Sequence, residues 1–143
     1  MAGDTIVQAA CHCKGVRFEA TLIDGMNTAR RCDCSFCRMR GAVVVSASDV
    51  RIVSGEDKLG EYQFNTRTAK HYFCLGCGIY THHQRRSNPG QLGVNVACIA
   101  GASPFDFREL QVNDGINHPS DRPVGSKPRI AGILRYEPSR DNA

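Results

Sequence analysis

Three cysteines, Cys32, Cys34 and Cys37, stand close together in the pattern C-x-C-x-x-C. Thiolates at this spacing repel one another unless a cation holds them, and zinc is the soft divalent ion most often found on such ligands. A structural zinc takes four protein ligands, whereas a catalytic zinc usually takes three and keeps one position for water or substrate. The cluster therefore predicts either a structural zinc, completed by Cys98 or a histidine, or an open zinc site that can perform chemistry.

A second set of four cysteines has the spacing of two zinc half-sites. Cys74 and Cys77 form a C-x-x-C-G pattern, in which loop N–H groups point at the sulfurs and the glycine lets the chain turn back. Cys11 and Cys13 form another two-ligand half. Together they predict a closed four-cysteine zinc site that ties the beginning of the chain to its middle. The alternative is a redox C-x-x-C motif, but the βαβ pattern that accompanies thioredoxin-like motifs is missing.

The composition is that of an ordinary globular protein: the chain has 143 residues, of which 41% are hydrophobic and 22% are charged. We expect a single zinc-binding domain over residues 1–143, with a core at about 5–136 and a frayed polar C-terminal tail. The formal net charge is +4, and no run of five or more basic residues occurs. This charge permits an anionic ligand but does not indicate nucleic-acid binding.

The eight cysteines also bear on the compartment. The N-terminal residues lack the basic and apolar segments of a signal peptide, and no apolar run reaches the roughly 18–20 residues that cross a membrane. We therefore expect a cytoplasmic protein without membrane association. Cysteines there bind metal or react more often than they form disulfides.

Short stretches in which apolar and polar residues alternate must carry these clusters, as in Val16–Leu22, Leu59–Phe64 and Leu92–Ile99. About eight such strands, separated by turn signals, predict an all-β domain with only one or two helical turns. One helical turn is expected at the end of the triple-cysteine segment. The turn-rich stretch Val112–Lys127 is interpreted as an ordered loop or flap, because loops of this length are often functional.

Three cysteine motifs follow one another in the chain: C-H-C-K-G-V-R-F-E from Cys11, C-D-C-S-F-C-R-M-R-G from Cys32, and F-C-L-G-C-G-I-Y from Phe73, before V-N-V-A-C-I from Val94. In this order they resemble the glutathione-dependent formaldehyde-activating enzyme family, which also includes centromere protein V. The resemblance covers about residues 5–121. It implies a zinc-stabilised, β-sandwich-like fold of curled antiparallel sheets, similar to that of a small zinc-binding chaperone of Rab GTPases.

The resemblance also implies roles for the cysteines. The family's structural zinc ligands are matched by Cys11, Cys13, Cys74 and Cys77. Its catalytic zinc ligands are matched by Cys32, Cys34 and Cys37. The implied activity is a carbon–sulfur lyase reaction, in which S-(hydroxymethyl)glutathione interconverts with glutathione and formaldehyde. Two zinc ions per chain are the implied cofactors, and glutathione or its aldehyde adduct is the implied partner.

The group that manages the hydroxyl proton stays open at this point. His82 and His83 have suitable pKa values, but neighbours on a strand face opposite ways, so at most one of them can face the site. Asp33 either acts in the cluster or caps the turn. Candidates for binding the carboxylates of glutathione are Arg38, Arg40, Arg85 and Arg86.

Two non-catalytic interpretations compete with the enzyme. One is a zinc-stabilised binding module for protein or nucleic acid, although no basic stripe interleaved with aromatic residues supports the nucleic-acid version. The other is zinc storage or redox sensing by the triple-cysteine cluster. Cys98 shares one face of its predicted strand with Val94 and Val96, which favours a buried thiol.

Overall fold

The computed structural model describes residues 4–64, 66–86, 88–117 and 129–139. Strands hold far more of these residues than helices do, which confirms the all-β prediction. The helical segments within these ranges are one α-helix, α1 (Ser35–Arg40), and short 3-10 turns at Gly25–Thr28, Glu56–Lys58, Val96–Cys98 and Pro104–Asp106. The strands are β1 (Asp4–Ala10), β2 (Arg17–Ile23), β3 (Arg30–Cys32), β4 (Val44–Ser54), β5 (Leu59–Tyr62), β6 (Lys70–Cys74), β7 (Tyr80–Gln84), β8 (Leu92–Asn95), β9 (Glu109–Asn113) and β10 (Ile130–Arg135).

Strand β4 holds the sheet together because it changes partners along its length. The strand order is β10-β9-β3-β4-β8-β7-β6-β5, and the β1–β2 hairpin joins this path through β2 and β4. The first residues of β4 pair with β3 and β8, whereas its later residues pair with β2. Two parts of the sheet therefore share one strand, and their buried side chains meet in one hydrophobic core.

The sheet is mixed, because β3 and β9 run parallel while the other strand pairs are antiparallel. Parallel neighbours need a long crossover connection. The chain from β4 to β8 supplies it. This parallel pair, the single one among the described strands, departs from the antiparallel sheets that the resemblance implied, and it brings the end of β9 beside Cys32.

Strand β2 shows why the period-two pattern predicted the core well. Phe18, Ala20 and Leu22 are buried and alternate with more exposed residues along the strand. Each buried side chain packs into the core that β4 and β8 complete. The residues between them face outward, where Glu19 pairs with Arg51 of β4 at 2.7 Å.

Several element boundaries differ from the sequence prediction. Strand β4 runs unbroken for 11 residues, since no glycine or proline interrupts it. Strand β8 ends at Asn95, whose side chain accepts a hydrogen bond from the Ala97 N–H at 3.1 Å and starts a 3-10 turn. The predicted loop Val112–Lys127 begins inside β9, and its residues 118–127 lie outside the described residues, as do residues 140–143 of the predicted tail.

None of the helices in the described ranges has the length and apolar character that a membrane crossing requires.

The core predicts a large difference between two phenylalanine truncations. Phe18 is 0% exposed, whereas Phe105 is 66% exposed. We expect Phe18→Ala to lower the free energy of unfolding by about 3–5 kcal/mol, because it removes a fully buried ring and leaves a cavity. Phe105→Ala, the matched control, should cost about 1 kcal/mol or less. Equilibrium urea unfolding of the metal-loaded protein measures both values, and equal losses would contradict this description of the core.

Candidate metal centres and active site

The four-cysteine group lies where the turns of two hairpins meet. Cys11 and Cys13 belong to the turn between β1 and β2. Cys74 is the last residue of β6, and Cys77 lies in the turn between β6 and β7. The Sγ atoms of Cys11 and Cys13, and those of Cys13 and Cys74, are each 3.7 Å apart, and all four sulfurs lie within 4.8 Å of one another. A tetrahedral zinc with Zn–S bonds of about 2.3 Å has sulfur–sulfur edges of about 3.8 Å. The donors and their spacing therefore fit zinc.

Backbone N–H groups surround these sulfurs, as the knuckle pattern predicts. The Val16 N–H donates to Cys11 Sγ at 3.3 Å, and the Gly76 N–H donates to Cys74 Sγ at 3.3 Å. Gly78 has φ +78°, the left-handed conformation that lets the chain turn back after the last cysteine. N–H donors favour the thiolate form. Those of Cys13 and Ile79 lower the pKa of the Cys77 thiol to about 6.

The three-cysteine group is built by one short segment. Cys32 is the last residue of β3, Cys34 caps the N-terminus of α1, and Cys37 lies within that helix. The Sγ atom of Cys34 accepts a hydrogen bond from the Cys37 N–H at 3.2 Å. A strand end followed at once by a helix start therefore turns all three sulfurs to one place, within 4.8 Å of one another.

The three thiols cannot all ionise without a cation. Hydrogen bonds from the Cys32 and Cys37 side chains lower the pKa of the Cys34 thiol to about 2. Hydrogen bonds with the Cys32 side chain, followed in size by those with Cys34, raise the pKa of the Cys37 thiol far above its ordinary value. Burial of Cys37 raises it further. One thiolate thus keeps its neighbour protonated. A divalent metal would relieve this conflict, so the donor set fits zinc here as well.

No fourth cysteine, histidine or carboxylate of the described residues joins this group. Cys98, which the sequence left as a possible fourth ligand, lies in the core, where its thiol donates to the Tyr80 carbonyl oxygen at 3.5 Å. Burial raises the pKa of the Cys98 thiol to about 12. The structure thus places Cys98 outside both cysteine groups.

Gly115, just after β9, packs directly against the three-cysteine group. A Cβ atom at this position would lie 2.5 Å from Cys32 Sγ and 2.6 Å from Cys34 Cβ, closer than such contacts allow. The Gly115 N–H donates to the Asp33 carboxylate at 2.8 Å. Asp33 therefore fastens the chain after β9 onto the cluster, and only a glycine fits there.

The three cysteines line a cavity of about 580 Å³. Its wall is strongly basic and partly aromatic. The arginines that line it are Arg30, Arg31, Arg38, Arg40, Arg85, Arg86 and Arg129, and the rings are those of Phe36, Phe64, His71 and His83. The four arginines that the sequence offered for carboxylate binding are all included. This wall suits a small anionic molecule that reaches the cysteine sulfurs.

Only one of the two candidate histidines lines the cavity, as strand alternation predicts. His83 lines the cavity, whereas His82 lies away from it, stacked on Tyr72 with ring centroids 4.6 Å apart. Sequence reasoning missed His71, which also lines the cavity. His71 stands directly opposite His83 in the β6–β7 ladder. The signal was available, because His71 and His83 flank the C-x-x-C-G turn in two strands that must form a hairpin.

Comparisons with known proteins identify the family of this chain. A sequence model of the glutathione-dependent formaldehyde-activating enzymes matches residues 6–110. This chain belongs to that family. A Rhodobacter sphaeroides protein of known crystal structure is 56% identical in sequence to this chain. The match covers 73% of this chain and 98% of that protein's chain, and the two structures superpose with a TM-score of 0.72. The family supports an enzyme that acts on glutathione and formaldehyde, and the two cysteine groups of this member are compatible with zinc.

Gly115 provides a test of the three-cysteine group. We expect Gly115→Ala to weaken zinc binding there about tenfold or more, because the new Cβ displaces Cys32 and Cys34, and supporting contacts of metal ligands typically contribute 10–100-fold. Competition with a chromophoric chelator measures the affinity of each site. Gly132→Ala is the matched control, since a Cβ there meets no atom within 4 Å. Unchanged affinities in Gly115→Ala would contradict the close approach.

Proposed function

We propose that this chain is a single zinc-binding domain with carbon–sulfur lyase activity, interconverting S-(hydroxymethyl)glutathione with glutathione and formaldehyde. The observation that carries the proposal is the difference between the two cysteine groups. The four-cysteine group can satisfy a tetrahedral metal by itself, whereas the three-cysteine group borders a cavity of about 580 Å³. A ligand in that cavity can reach a fourth position. Family membership supports glutathione and formaldehyde as the reactants.

In this proposal each group holds one zinc. The structural zinc is held by Cys11, Cys13, Cys74 and Cys77, and the catalytic zinc by Cys32, Cys34 and Cys37. When bound at the three-cysteine group, zinc supplies a Lewis acid that keeps an added thiol ionised at neutral pH. Cys34, at the helix start, keeps one sulfur of this group fixed by its hydrogen bond from Cys37.

The reaction balances with the thiol and the aldehyde alone. The thiol loses its proton, its sulfur forms a bond to the carbonyl carbon, and the electron pair of the C=O π bond moves to the oxygen. That oxygen takes up one proton and becomes the hydroxyl of the adduct. The reverse reaction breaks the carbon–sulfur bond and releases the thiol and formaldehyde. The cavity walls hold both reactants side by side, which replaces a bimolecular encounter by an oriented one.

The basic wall selects an anionic thiol. Glutathione carries two carboxylates, and guanidinium groups bind carboxylates in a bidentate geometry. Arg30 already makes hydrogen bonds within the protein, since it donates to the Thr28 carbonyl at 3.2 Å and to Ser46 Oγ at 2.9 Å. Arg31 offers a buried Nε without a hydrogen-bond partner in the described residues, and Arg38 is exposed at the cavity. We assign carboxylate binding to Arg31 and Arg38.

Exchange spectroscopy tests the activity directly. With ¹³C-formaldehyde and glutathione at equilibrium, we expect the zinc-loaded protein to accelerate exchange between free formaldehyde and the adduct in two-dimensional NMR. Cys34→Ser should lower the enzyme-dependent rate by about 100-fold or more, since loss of even an outer-shell partner of a metal ligand lowers metal affinity or activity by about 10–100-fold. Cys98→Ser is the matched control, because Cys98 lies outside both groups, and it should keep the acceleration.

Two results would count against the proposal. If the zinc-loaded wild type does not accelerate the exchange, the lyase assignment is wrong, and the zinc-stabilised binding module is favoured. Equal exchange in Cys34→Ser and the wild type would show that any catalysis takes place away from the three-cysteine group.

A further inference from the structure

Arg40, the last residue of α1, connects the three-cysteine group to a histidine of the cavity wall. Its Nη2 atom donates to Cys37 Sγ at 3.5 Å, and its Nη1 atom contacts His71 Nδ1 at 2.9 Å. The guanidinium carbon lies 3.7 Å from the centroid of the Tyr80 ring and 4.8 Å from that of Phe36. Two hydrogen bonds and two ring contacts hold Arg40 in one orientation.

The contact with Arg40 fixes the tautomer of His71. A guanidinium has five N–H donors, no acceptor, and a charge that it keeps in proteins. Nδ1 of His71 must therefore accept the hydrogen bond, which leaves the ring proton on Nε2. Burial, followed by the charge of Arg40, also lowers the pKa of His71 to about 4. Since this pKa lies well below 7, the ring is neutral at physiological pH.

Nε2 of His71 is available to a ligand. The ring is held between Phe36, with centroids 4.5 Å apart, and His83, with centroids 5.1 Å apart, and it lines the cavity. Within the described ranges, the fully buried side-chain nitrogens and oxygens without a partner are Nε of Arg31 and Nε of Arg40. Nε2 of His71 makes no hydrogen bond in those ranges and is not one of these buried atoms, so it is accessible from the cavity.

His83 is less suited to this task. Its Nδ1 atom lies 2.6 Å from the Tyr80 hydroxyl, which can donate or accept. The position of the His83 proton is therefore not determined by its partner. Arg40 can only donate a hydrogen bond, so its contact with His71 places the ring proton of His71 on Nε2.

We propose that Arg40 is a positioning residue that holds His71 as its Nε2–H tautomer, and that His71 presents this N–H to the oxygen of the aldehyde or of its hydroxymethyl adduct. The inference rests on the proposed function. As sulfur adds to the carbonyl carbon, negative charge develops on that oxygen, and a preorganised neutral donor stabilises it. His71 keeps its proton throughout. The proton that completes the hydroxyl is the one that the thiol released.

The tautomer is measured first, on zinc-loaded, ¹⁵N-labelled protein without substrate. Two-bond ¹H–¹⁵N correlation distinguishes a protonated ring nitrogen from an unprotonated one. We expect wild-type His71 to carry its proton on Nε2 alone, with the Nδ1 signal shifted by its hydrogen bond. Arg40→Met removes this hydrogen bond, so the Nδ1 signal should lose its shift and both tautomers of His71 should be populated. Arg38→Met removes a charge from the same helix without touching His71, and it should leave both nitrogen signals unchanged.

Kinetics of adduct exchange then test the donor. We expect His71→Phe to lower kcat about 100-fold, the usual loss for one donor to a developing oxyanion, with KM changed much less. His71→Gln places an amide N–H near the position of Nε2 and should recover part of this loss. Arg40→Met should also lower kcat more than it raises KM. Metal analysis should find two zinc ions per chain in each variant, which separates a lost donor from a lost metal.

Three results would overturn the inference. They are a proton on Nδ1 in the wild type, nitrogen signals in Arg40→Met identical to those of the wild type, and equal kcat values for His71→Gln and His71→Phe. The wild-type tautomer decides the first point even where Arg40→Met does not fold. A failed tautomer prediction leaves the lyase assignment intact, whereas a wild type that does not accelerate exchange removes that assignment whatever the tautomer.

Discussion

Mutual repulsion between thiolates is the constraint on which the rest of this structure depends. Seven of the eight cysteines lie in two groups whose sulfurs are within 4.8 Å of one another. Two unit charges 4 Å apart repel by about 4 kcal/mol at an effective dielectric constant of about 20. A group of three or four thiolates therefore requires a divalent cation. The opposite pKa shifts of Cys34 and Cys37 express this requirement.

The fold resolves this constraint in two different ways. Two hairpins meet at the four-cysteine group and each contributes two sulfurs, so the group offers the four donors that a tetrahedral metal takes. The three-cysteine group is instead made by the β3–α1 junction, which is too short to surround a metal. Its remaining side opens on the cavity, where α1 also places Arg40 and its contact with His71. The number of cysteine donors in each group thus follows from how many chain segments meet there.

Local features of the protein could be predicted from the sequence because they depend on local spacing. The cysteine pairs, the triple-cysteine cluster, the helical turn that ends near Arg40 and the alternation in β2 are of this kind. The joining of the two cysteine pairs is a long-range feature, and it was predicted from the four ligands that a structural zinc needs. Features that depend on the pairing of distant strands were missed. Strand β3 has three residues, too few to show a period, and its parallel pairing with β9 is visible only in three dimensions. The approach of Gly115 to Cys32 and the place of His71 opposite His83 likewise follow from strand register.

The central claim is that one metal position stays open to an external thiol, and cobalt substitution tests it most directly. The protein is loaded with Co²⁺, two metal ions per chain are confirmed, and glutathione is added while the thiolate-to-cobalt absorption is recorded. We expect a saturable increase in that absorption with both metal ions retained, because one added sulfur completes the three-cysteine site. A spectrum of two complete tetrahedral thiolate sites that does not change with glutathione would contradict the claim, since both metals would then be structural.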